Sequence, residues 1–250
     1  MTEPTDLFAD LNFRHRRVLI TGAANGFGAA IAQRFAEHGA SLVLADIEAA
    51  PLAAIAARLN AQAHSFDQAD AGSVERLAQA AGAIDILINN AGILVAKPLL
   101  ETSIEEVRRL IDTDLVGVIR LMQLVGRGMV ERRRGVIVCM GSQTAFAGGE
   151  NRAVYAAAKA AISQLTRAAA VEWGPHGVRV VCLAPGRALT RMTQTTASPH
   201  YSGDRGLQRV PLGRWGTPEE ISKLVLLLAS DAAGYVTGET LIADGGYVIG

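Results

Sequence analysis

TGAANGFG, at residues 21–28, joins a short apolar run to a helical pattern through three glycines, and this junction is the strongest indication of how the chain folds. The preceding run, VLIT at 18–21, has the composition of a buried strand, and an alanine-rich helical stretch continues to about residue 38. Glycines at such a junction allow a tight turn and close approach of the backbone to a pyrophosphate, while the helix N-terminus supplies free N–H groups. Glycines also collect at ordinary tight turns, so the motif alone does not establish nucleotide binding.

Beyond this junction, β-branched runs alternate with helical stretches along the whole chain. The further strand-like runs are SLVLA at 41–45, AHSF at 63–66, IDILIN at 84–89, GVIVCM at 135–140, VRVVCLA at 178–184 and LIA at 241–243. Seven strands separated by helices predict an α/β fold, a doubly wound parallel seven-stranded sheet with helices on both faces (Rossmann fold). No repeat or linker divides residues 1–250, so we predict a single domain.

Composition excludes several classes of function. The 24 basic residues balance the 24 acidic ones, and they are scattered, so no nucleic acid or acidic membrane is expected as a partner. The sequence has no signal-like N-terminus and no apolar run near the roughly 20 residues that span a bilayer, which predicts a soluble, cytoplasmic protein. Cys139 and Cys182 lie inside strand-like runs, which favours buried reduced thiols over a disulfide or a metal site.

Asp46 favours NAD as the cofactor. It stands 18 residues after Gly28, at the end of the second strand, where a carboxylate would bond the adenosine ribose hydroxyls of NAD and repel the 2′-phosphate of NADP. Two unit charges ~4 Å apart interact by roughly 4 kcal/mol at an effective dielectric of ~20. No basic residue in the glycine turn or directly after Asp46 reverses this preference. The alternative is an exposed aspartate that caps the next helix.

The segment at about 187–215 is polar, turn-rich and without clear periodicity, which is long for a connection and predicts a substrate lid. Its basic side chains suit a polar substrate such as a sugar, polyol or hydroxy acid, although solvated arginines would give the same pattern. Thr217-Pro218-Glu219-Glu220 then predicts a helix start, with a threonine cap and proline in the first turn.

Several motifs in order resemble the short-chain dehydrogenase/reductase family over nearly the whole chain. They are TGAANGFG at 21–28, NNAG at 89–92, Ser142, Tyr155-Ala-Ala-Ala-Lys159, Pro185-Gly186 followed by Thr190, PLGRWGTPEE at 211–220 and VTGETLIADGG at 236–246. The resemblance implies an NAD(P)-dependent enzyme that acts on the CH–OH group of a small-molecule alcohol or ketone. It also implies a homotetramer with the tyrosine-bearing helix at one interface, which the alanine-rich stretch at 156–170 permits.

The resemblance also implies which residues bind and which react. The cofactor residues would be Gly22, Asn25, Gly26, Phe27 and Gly28 at the pyrophosphate, Asp46, Asn90, Ala91 and Gly92 at the adenosine ribose, Asp67 at the adenine amine, Ala188 and Thr190 at the nicotinamide carboxamide, and Tyr155 with Lys159. Substrate would contact Ser142, Gln143, Tyr155 and Arg187. The catalytic group would be Ser142, Tyr155 and Lys159, and no metal is expected.

The chemistry explains these residue types. An unperturbed tyrosine ionises only near pH ~10 and is a poor base near neutrality, so it needs positive charge close by. Lys159 follows Tyr155 by four residues, which puts both on one helix face, and its ammonium would favour the tyrosinate. Ser142 would bond the substrate oxygen and orient it. Without the glycine turn, a chance Tyr–Lys spacing and a serine that caps a turn would explain the same residues.

The chain departs from the family at one catalytic position. Family members usually carry asparagine in an N-L-x-G motif, where its main chain binds a water that connects to the lysine and relays protons to solvent. The matching residues here are Asp114-Leu115-Val116-Gly117, so this side chain is a carboxylate.

Helical spacing separates Asp114 from Asp112, because residues two apart lie on nearly opposite faces of a helix. Asp112 follows Arg108 and Arg109 at helical spacing, which predicts a solvated, charge-paired face. Asp114 falls on an apolar seam made of Ile104, Val107, Ile111, Leu115, Val118 and Met122. A buried carboxylate is costly unless it is protonated or paired, and Lys159 is the expected partner.

Asp114 has two competing consequences. If the family's relay uses only the main-chain carbonyl, aspartate can replace asparagine at position 114 with little loss of activity. The Asp114 carboxylate would then hold Lys159 more firmly. If Asp114 neutralises Lys159, Tyr155 keeps its proton to higher pH and activity moves to alkaline conditions. We expect a working enzyme with an alkaline optimum.

Taken together, the sequence predicts an NAD-dependent oxidoreductase that transfers a hydride between a secondary alcohol and the nicotinamide, with Tyr155 as general base or acid. The alternative within the enzyme class is an NADP-dependent carbonyl or 3-oxoacyl reductase. The alternative outside it is a non-catalytic NAD-binding protein on the same fold.

Overall fold

The computed structural model describes residues 11–188 and 207–250. Its strands are β1 (Arg17–Thr21), β2 (Ser41–Asp46), β3 (Gln62–Ser65), β4 (Ile86–Asn89), β5 (Gly135–Met140), β6 (Val178–Pro185) and β7 (Thr240–Ala243). All seven pair in parallel in one sheet of order β3-β2-β1-β4-β5-β6-β7. The predicted doubly wound sheet is confirmed, and each predicted run overlaps its strand.

Helices cover both faces of this sheet. They are α1 (Gly26–Glu37), α2 (Ala49–Leu59), α3 (Ala71–Ala81), α4 (Ile104–Ile111), α5 (Gly117–Glu131), α6 (Ala153–Trp173) and α7 (Pro218–Ala229). The apolar residues of α1, α2 and α7 form one buried cluster with one face of the sheet. Those of α3, α5 and α6 form a second cluster on the other face. The sheet therefore lies between two separate hydrophobic cores.

Strand residues alternate between these two cores. On β1, Val18 and Ile20 belong to the first cluster and Leu19 to the second, and all three are fully buried. Because both faces are covered, the strands are apolar at nearly every position. Cys139 on β5 and Cys182 on β6 are register partners, and both are fully buried free thiols, as predicted.

The strand order positions a crevice at the carboxyl ends of the strands. β1 lies between β2 and β4, so the chain crosses to one side after β1 and to the other side after β3. Ligands of open α/β sheets bind where the order reverses in this way. The glycine turn, which follows β1, and the NNAG motif, which follows β4, therefore face each other across the crevice.

A π-helical turn, Asp112–Val116, connects α4 to α5 and corrects part of the sequence prediction. A wider turn shifts the helix phase, so the seam extrapolated from regular spacing is wrong at its start. Ile104 is 56% exposed, whereas Leu110 is fully buried. Asp112 is exposed as predicted. Its expected pairing with Arg108 and Arg109 is absent from the ion pairs of the described residues.

The helix start predicted at Thr217 is confirmed. Thr217 Oγ1 accepts the backbone N–H of Glu220 at 3.2 Å, and the Glu220 carboxylate accepts the backbone N–H of Thr217 at 2.9 Å. This reciprocal capping box satisfies two N–H groups that the helix itself cannot bond.

Two kinds of feature are absent from the described part of the chain. None of its helices has the length and apolar character needed to cross a membrane. It also contains no group of three histidine, cysteine, aspartate or glutamate side chains that could hold a metal ion.

Candidate active site

The described residues line a cavity of about 810 Å³ at the carboxyl ends of the strands. It gathers most of the predicted site residues: Gly22, Asn25, Gly26, Phe27, Asp46, Asp67, Asn90, Ala91, Gly92, Asp114, Ser142, Gln143, Tyr155, Lys159, Arg187 and Ala188. Thr190 and most of the expected lid lie outside the described residues. Gly28 is not among the residues that line the cavity, and its place at the pyrophosphate stays a prediction.

The glycine turn has no room for side chains. Gly22 has a φ of +65°, and a Cβ there would lie 2.8 Å from the Cα of Ala91. A Cβ on Gly28 would lie 1.9 Å from the carbonyl oxygen of Gly22. Asn90 Nδ2 holds the turn from the other side by donating to the carbonyl oxygens of Thr21 at 2.9 Å and Gly22 at 3.0 Å. The turn therefore offers bare backbone and the N-terminus of α1 to the cavity, which fits a pyrophosphate.

Replacing Gly28 by alanine tests this packing. The added methyl group would meet the backbone of the turn, so we expect a loss of about 2 kcal/mol in the free energy of unfolding and strongly weakened dinucleotide binding. Gly174→Ala is the matched control, because Gly174 has a helical φ of −55° and an added Cβ meets nothing within 4 Å. Urea unfolding and NADH fluorescence titration measure both effects. Equal stability and equal dinucleotide binding in the two variants would contradict this role of the glycine turn.

Asp46 lines the cavity and is only 9% exposed. Its Oδ2 accepts the backbone N–H of Ala24 at 2.9 Å, and its Oδ1 accepts the N–H of Glu48 at 2.9 Å. The alternative predicted an exposed aspartate that caps the next helix. The predicted exposure is wrong, whereas the bond from the Glu48 N–H does lie just before α2. Each carboxylate oxygen keeps a further acceptor site for a ribose hydroxyl.

Glu48 and Gln68 are cavity residues that the sequence reasoning missed. Glu48 Oε2 accepts from Asn25 Nδ2 at 2.7 Å, so a second carboxylate reaches the glycine turn. Gln68 Nε2 donates to the carbonyl oxygens of Ala91 at 3.1 Å and Thr113 at 2.7 Å, and so ties the NNAG segment to the π-helical turn. The only signal for Glu48 was its place two residues after Asp46. Gln68 follows Asp67, which is exposed at the cavity wall.

Ser142 follows β5 and is 8% exposed. Its Oγ accepts the backbone N–H of Thr144 at 3.2 Å and the Thr144 hydroxyl at 3.0 Å. The interpretation of this serine as a turn cap is therefore correct, and it is compatible with catalysis. Because Oγ only accepts in these bonds, its own proton can be donated to a substrate oxygen in the cavity.

Tyr155 and Lys159 project from one face of α6 into the same cavity. The Lys159 Nζ lies 5.5 Å from the centre of the Tyr155 ring. Lys159 is 5% exposed, donates to the carbonyl oxygen of Met140 at 3.2 Å, and lies 3.1 Å from Asp114 Oδ2. The predicted partner of Asp114 is thus confirmed.

The charge of Lys159 is stabilised by its surroundings. Burial alone disfavours the ammonium, but Asp114 and then Tyr155 more than offset this and raise the pKa of Lys159 above its ordinary value. Lys159 is therefore positively charged throughout the pH range in which enzymes are assayed.

Asp114 is fully buried and contacts two parts of the site. Its Oδ1 accepts the backbone N–H of Ile93 at 2.7 Å. A Cβ on Gly92 would lie 2.8 Å from its Oδ2, so the absence of a side chain at Gly92 makes room for the carboxylate. Asp114 thus joins the cofactor-side segment at 92–93 to Lys159.

Arginine and aromatic side chains also line the cavity. The Arg187 guanidinium lies 5.0 Å from the ring centre of Trp215. Arg109 and Arg152 also line the cavity, and neither they nor Trp215 were predicted from the sequence to be site residues. Gln143 is 4% exposed, with its Oε1 beside Gly186. The arginines are scattered over the sequence, so only the fold brings them to one cavity.

Comparisons with known proteins agree with this geometry. A family model described as enoyl-(acyl carrier protein) reductase matches residues 22–248. The chain is 37% identical to D-threitol dehydrogenase of Mycolicibacterium smegmatis, over 100% of both chains. It is 40% identical to galactitol 2-dehydrogenase (L-tagatose-forming) of Cereibacter sphaeroides, over 92% of this chain and 94% of that protein. Among solved structures, 3-ketoacyl-(acyl-carrier-protein) reductase from Brucella melitensis, complexed with NADH, matches with a TM-score of 0.89 and 30% identity, over 94% and 99% of the two chains.

Proposed function

Because the chain belongs to the short-chain dehydrogenase/reductase family, and is therefore an oxidoreductase that acts on CH–OH groups with a nicotinamide cofactor, we propose that it is an NAD-dependent dehydrogenase of polyols or related sugar alcohols. One observation carries the proposal: Ser142, Tyr155 and Lys159 line the same cavity as the glycine turn and Asp46. The reacting groups and the dinucleotide site are thus built into one space.

The cavity fits a dinucleotide. Gly22 and the N-terminus of α1 present bare backbone, because any side chain at Gly22 would strike Ala91. We assign the pyrophosphate to this turn, the adenosine ribose to Asp46 and the adenine to Asp67. When bound, the nicotinamide would supply the acceptor for the hydride from the alcohol carbon.

The protein's own residues manage the proton of the alcohol. Tyr155 takes the hydroxyl proton as the hydride leaves, and it returns that proton to a carbonyl oxygen in the reverse direction. Lys159 supplies the positive charge that favours the tyrosinate, and Ser142 donates a hydrogen bond that orients the substrate oxygen. General base catalysis by a positioned side chain contributes typically 10²- to 10⁴-fold to the rate.

Two observations support polyols as the substrate class: the names of the relatives and the polar side chains that line the cavity. Threitol and galactitol appear in the names of two relatives that match over nearly the whole chain. Gln143, Arg152 and Arg187 supply donors for hydroxyl or carboxylate groups of a polar substrate. We assign the lid function to residues 187–215, with Arg187 as a substrate contact.

A substrate screen tests this proposal. Purified protein with NAD should reduce the cofactor in the presence of threitol, galactitol or another polyol, and it should do so faster than with simple secondary alcohols. Reduction of a 3-oxoacyl thioester with NADPH, at a higher kcat/KM than any polyol gives, would instead establish the reductase alternative, which the similarity to the Brucella melitensis reductase favours. Absence of turnover with either class would support the non-catalytic alternative.

Cofactor choice gives a second test. We expect NAD to be preferred over NADP because Asp46 and Glu48 both bring negative charge to the glycine turn. Asp46→Asn should lower the ratio of kcat/KM for NAD to that for NADP by about 10- to 100-fold, since the charge repulsion is worth up to roughly 4 kcal/mol. Asp67→Asn makes the same change at the adenine side and should leave the ratio unchanged. A ratio that moves equally in both variants would count against this role of Asp46.

The assembly proposal rests on the surface of the tyrosine-bearing helix and its neighbours. We keep the homotetramer as a proposal, supported by exposed apolar side chains at Leu100, Ile104, Val116 and Val171. Sedimentation velocity of the purified protein would distinguish a tetramer from a monomer.

A further inference from the structure

We propose that Asp114 is a positioning residue that tethers Lys159 and thereby raises the pH at which Tyr155 acts as a base. The inference rests on the proposed function, because it takes Tyr155 as the group that accepts the proton of the alcohol. It goes beyond that function by assigning to one buried carboxylate the pH range of the reaction.

The first support is the geometry of the carboxylate. Asp114 is fully buried in the π-helical turn, and its two oxygens have different partners. Oδ1 accepts the Ile93 N–H at 2.7 Å, whereas Oδ2 lies 3.1 Å from Lys159 Nζ. Oδ2 makes no other polar contact in the described structure. The contact is therefore an ion pair whose strength comes from charge and burial.

The second support is that asparagine could not make both contacts at once. An asparagine side chain at 114 could keep the bond to Ile93 through its carbonyl oxygen, but it would then turn its NH₂ group toward the Lys159 ammonium. Two donors cannot bond each other, and the pair would carry no opposite charge. In this chain the side chain at 114, and not only its main chain, therefore holds the lysine.

The third support is electrostatic. A lone ammonium 5.5 Å from the Tyr155 ring would strongly favour the tyrosinate, since an opposite charge at this range shifts ionisation by one pH unit or more. A carboxylate 3.1 Å from that ammonium turns it into an ion pair with a weaker field. Tyr155 should then lose its proton at higher pH than it would beside an unpaired lysine.

The other titratable groups around Lys159 do not supply this effect. The thiols of Cys139 on β5 and Cys182 on β6 also act on it electrostatically. Burial raises the pKa of Cys139 to about 12 and also raises that of Cys182, so both thiols stay neutral in the assay range. Asp114 is thus the anion paired with Lys159. Arg109, Arg152 and Arg187 line the same cavity as Tyr155 and carry positive charge, but they are the same in wild type and in a variant at 114, so they do not produce a difference between the two.

The test compares Asp114→Asn with Asp112→Asn. Both variants lose one carboxylate, and the two positions are two residues apart, but Asp112 is exposed and Asp114 is fully buried. The pH midpoint of kcat/KM should move to lower pH by about one unit in Asp114→Asn, which is a tenfold gain on the acid limb of the profile. It should stay in place in Asp112→Asn. A merely structural role would lower activity at all pH values without moving the midpoint.

A second readout needs no substrate. Tyrosinate absorbance is titrated in the wild type and in Asp114→Asn, and each curve is corrected by its Tyr155→Phe counterpart so that only Tyr155 contributes. The midpoint should fall in Asp114→Asn. Failure to turn over any alcohol would refute the proposed function while this titration still tests the tether. Where Asp114→Asn does not fold, Asp114→Ser removes the same charge. An unchanged or higher midpoint overturns the inference.

Discussion

Tyr155→Phe is expected to lower kcat about 10³-fold, because it removes the hydroxyl that we propose accepts the proton of the alcohol while it keeps the ring. Lys159 lies 5.5 Å from the centre of that ring, so the charge that favours the tyrosinate is present but has no group to act on. Dinucleotide binding should fall far less, since the glycine turn and Asp46 are unchanged. Stopped-flow turnover and NADH fluorescence titration separate these two effects.

Tyr235→Phe is the matched control for this experiment. Tyr235 is fully exposed and lies outside the cavity, so the same loss of a hydroxyl should leave kcat unchanged. Retention of more than a tenth of the wild-type kcat by Tyr155→Phe would show that another group takes the proton, and the assignment of the base would be wrong.

Lys159→Met should cost both activity and stability. It leaves the Asp114 carboxylate fully buried without its cationic partner, and breaking a buried ion pair in this way typically costs about 3–5 kcal/mol. The pKa of Lys159 is raised in the folded protein, so the stabilisation by its charge is fully present below the ordinary lysine value of 10.5 and is lost only above it. Urea unfolding at pH 7 therefore measures the whole effect.

The double variant Lys159→Met/Asp114→Asn separates stability from catalysis. The asparagine carbonyl oxygen can still accept the Ile93 N–H, and no unpaired charge stays buried, so most of the lost stability should return. Activity should stay low because the positive charge beside Tyr155 is missing. A double variant as unstable as Lys159→Met would show that the stability loss comes from packing and not from the charge.

The fold was predictable because its elements are determined locally. β1 and β5 are apolar on both faces, which is typical of strands covered by helices on two sides. The partner of Asp114 was predictable for a different reason: a buried carboxylate requires a cation, and Lys159 was the cation nearest to the expected chemistry. Both predictions needed only residue type, spacing and the cost of burial.

Other features depend on contacts between distant parts of the chain. The π-helical turn leaves the carbonyl oxygen of Thr113 to Gln68, and a Cβ on Gly117 would lie 2.0 Å from the Gln68 backbone oxygen. No local pattern indicates that a residue 45 positions earlier will take this bond. For the same reason, the exposure of Ile104 and the burial of Leu110 could not be predicted from regular helical spacing.

The rate at which the two buried thiols are alkylated reports how often the folded protein opens. Cys139 and Cys182 sit side by side on the inner strands β5 and β6, where no reagent can reach them while the sheet is closed. Either sulfur can therefore be alkylated only after a cooperative opening event that separates the helices from the sheet. The rate of alkylation measures how often such events occur. A bound dinucleotide, which favours the closed form by mass action, should slow this chemical modification in proportion to its occupancy.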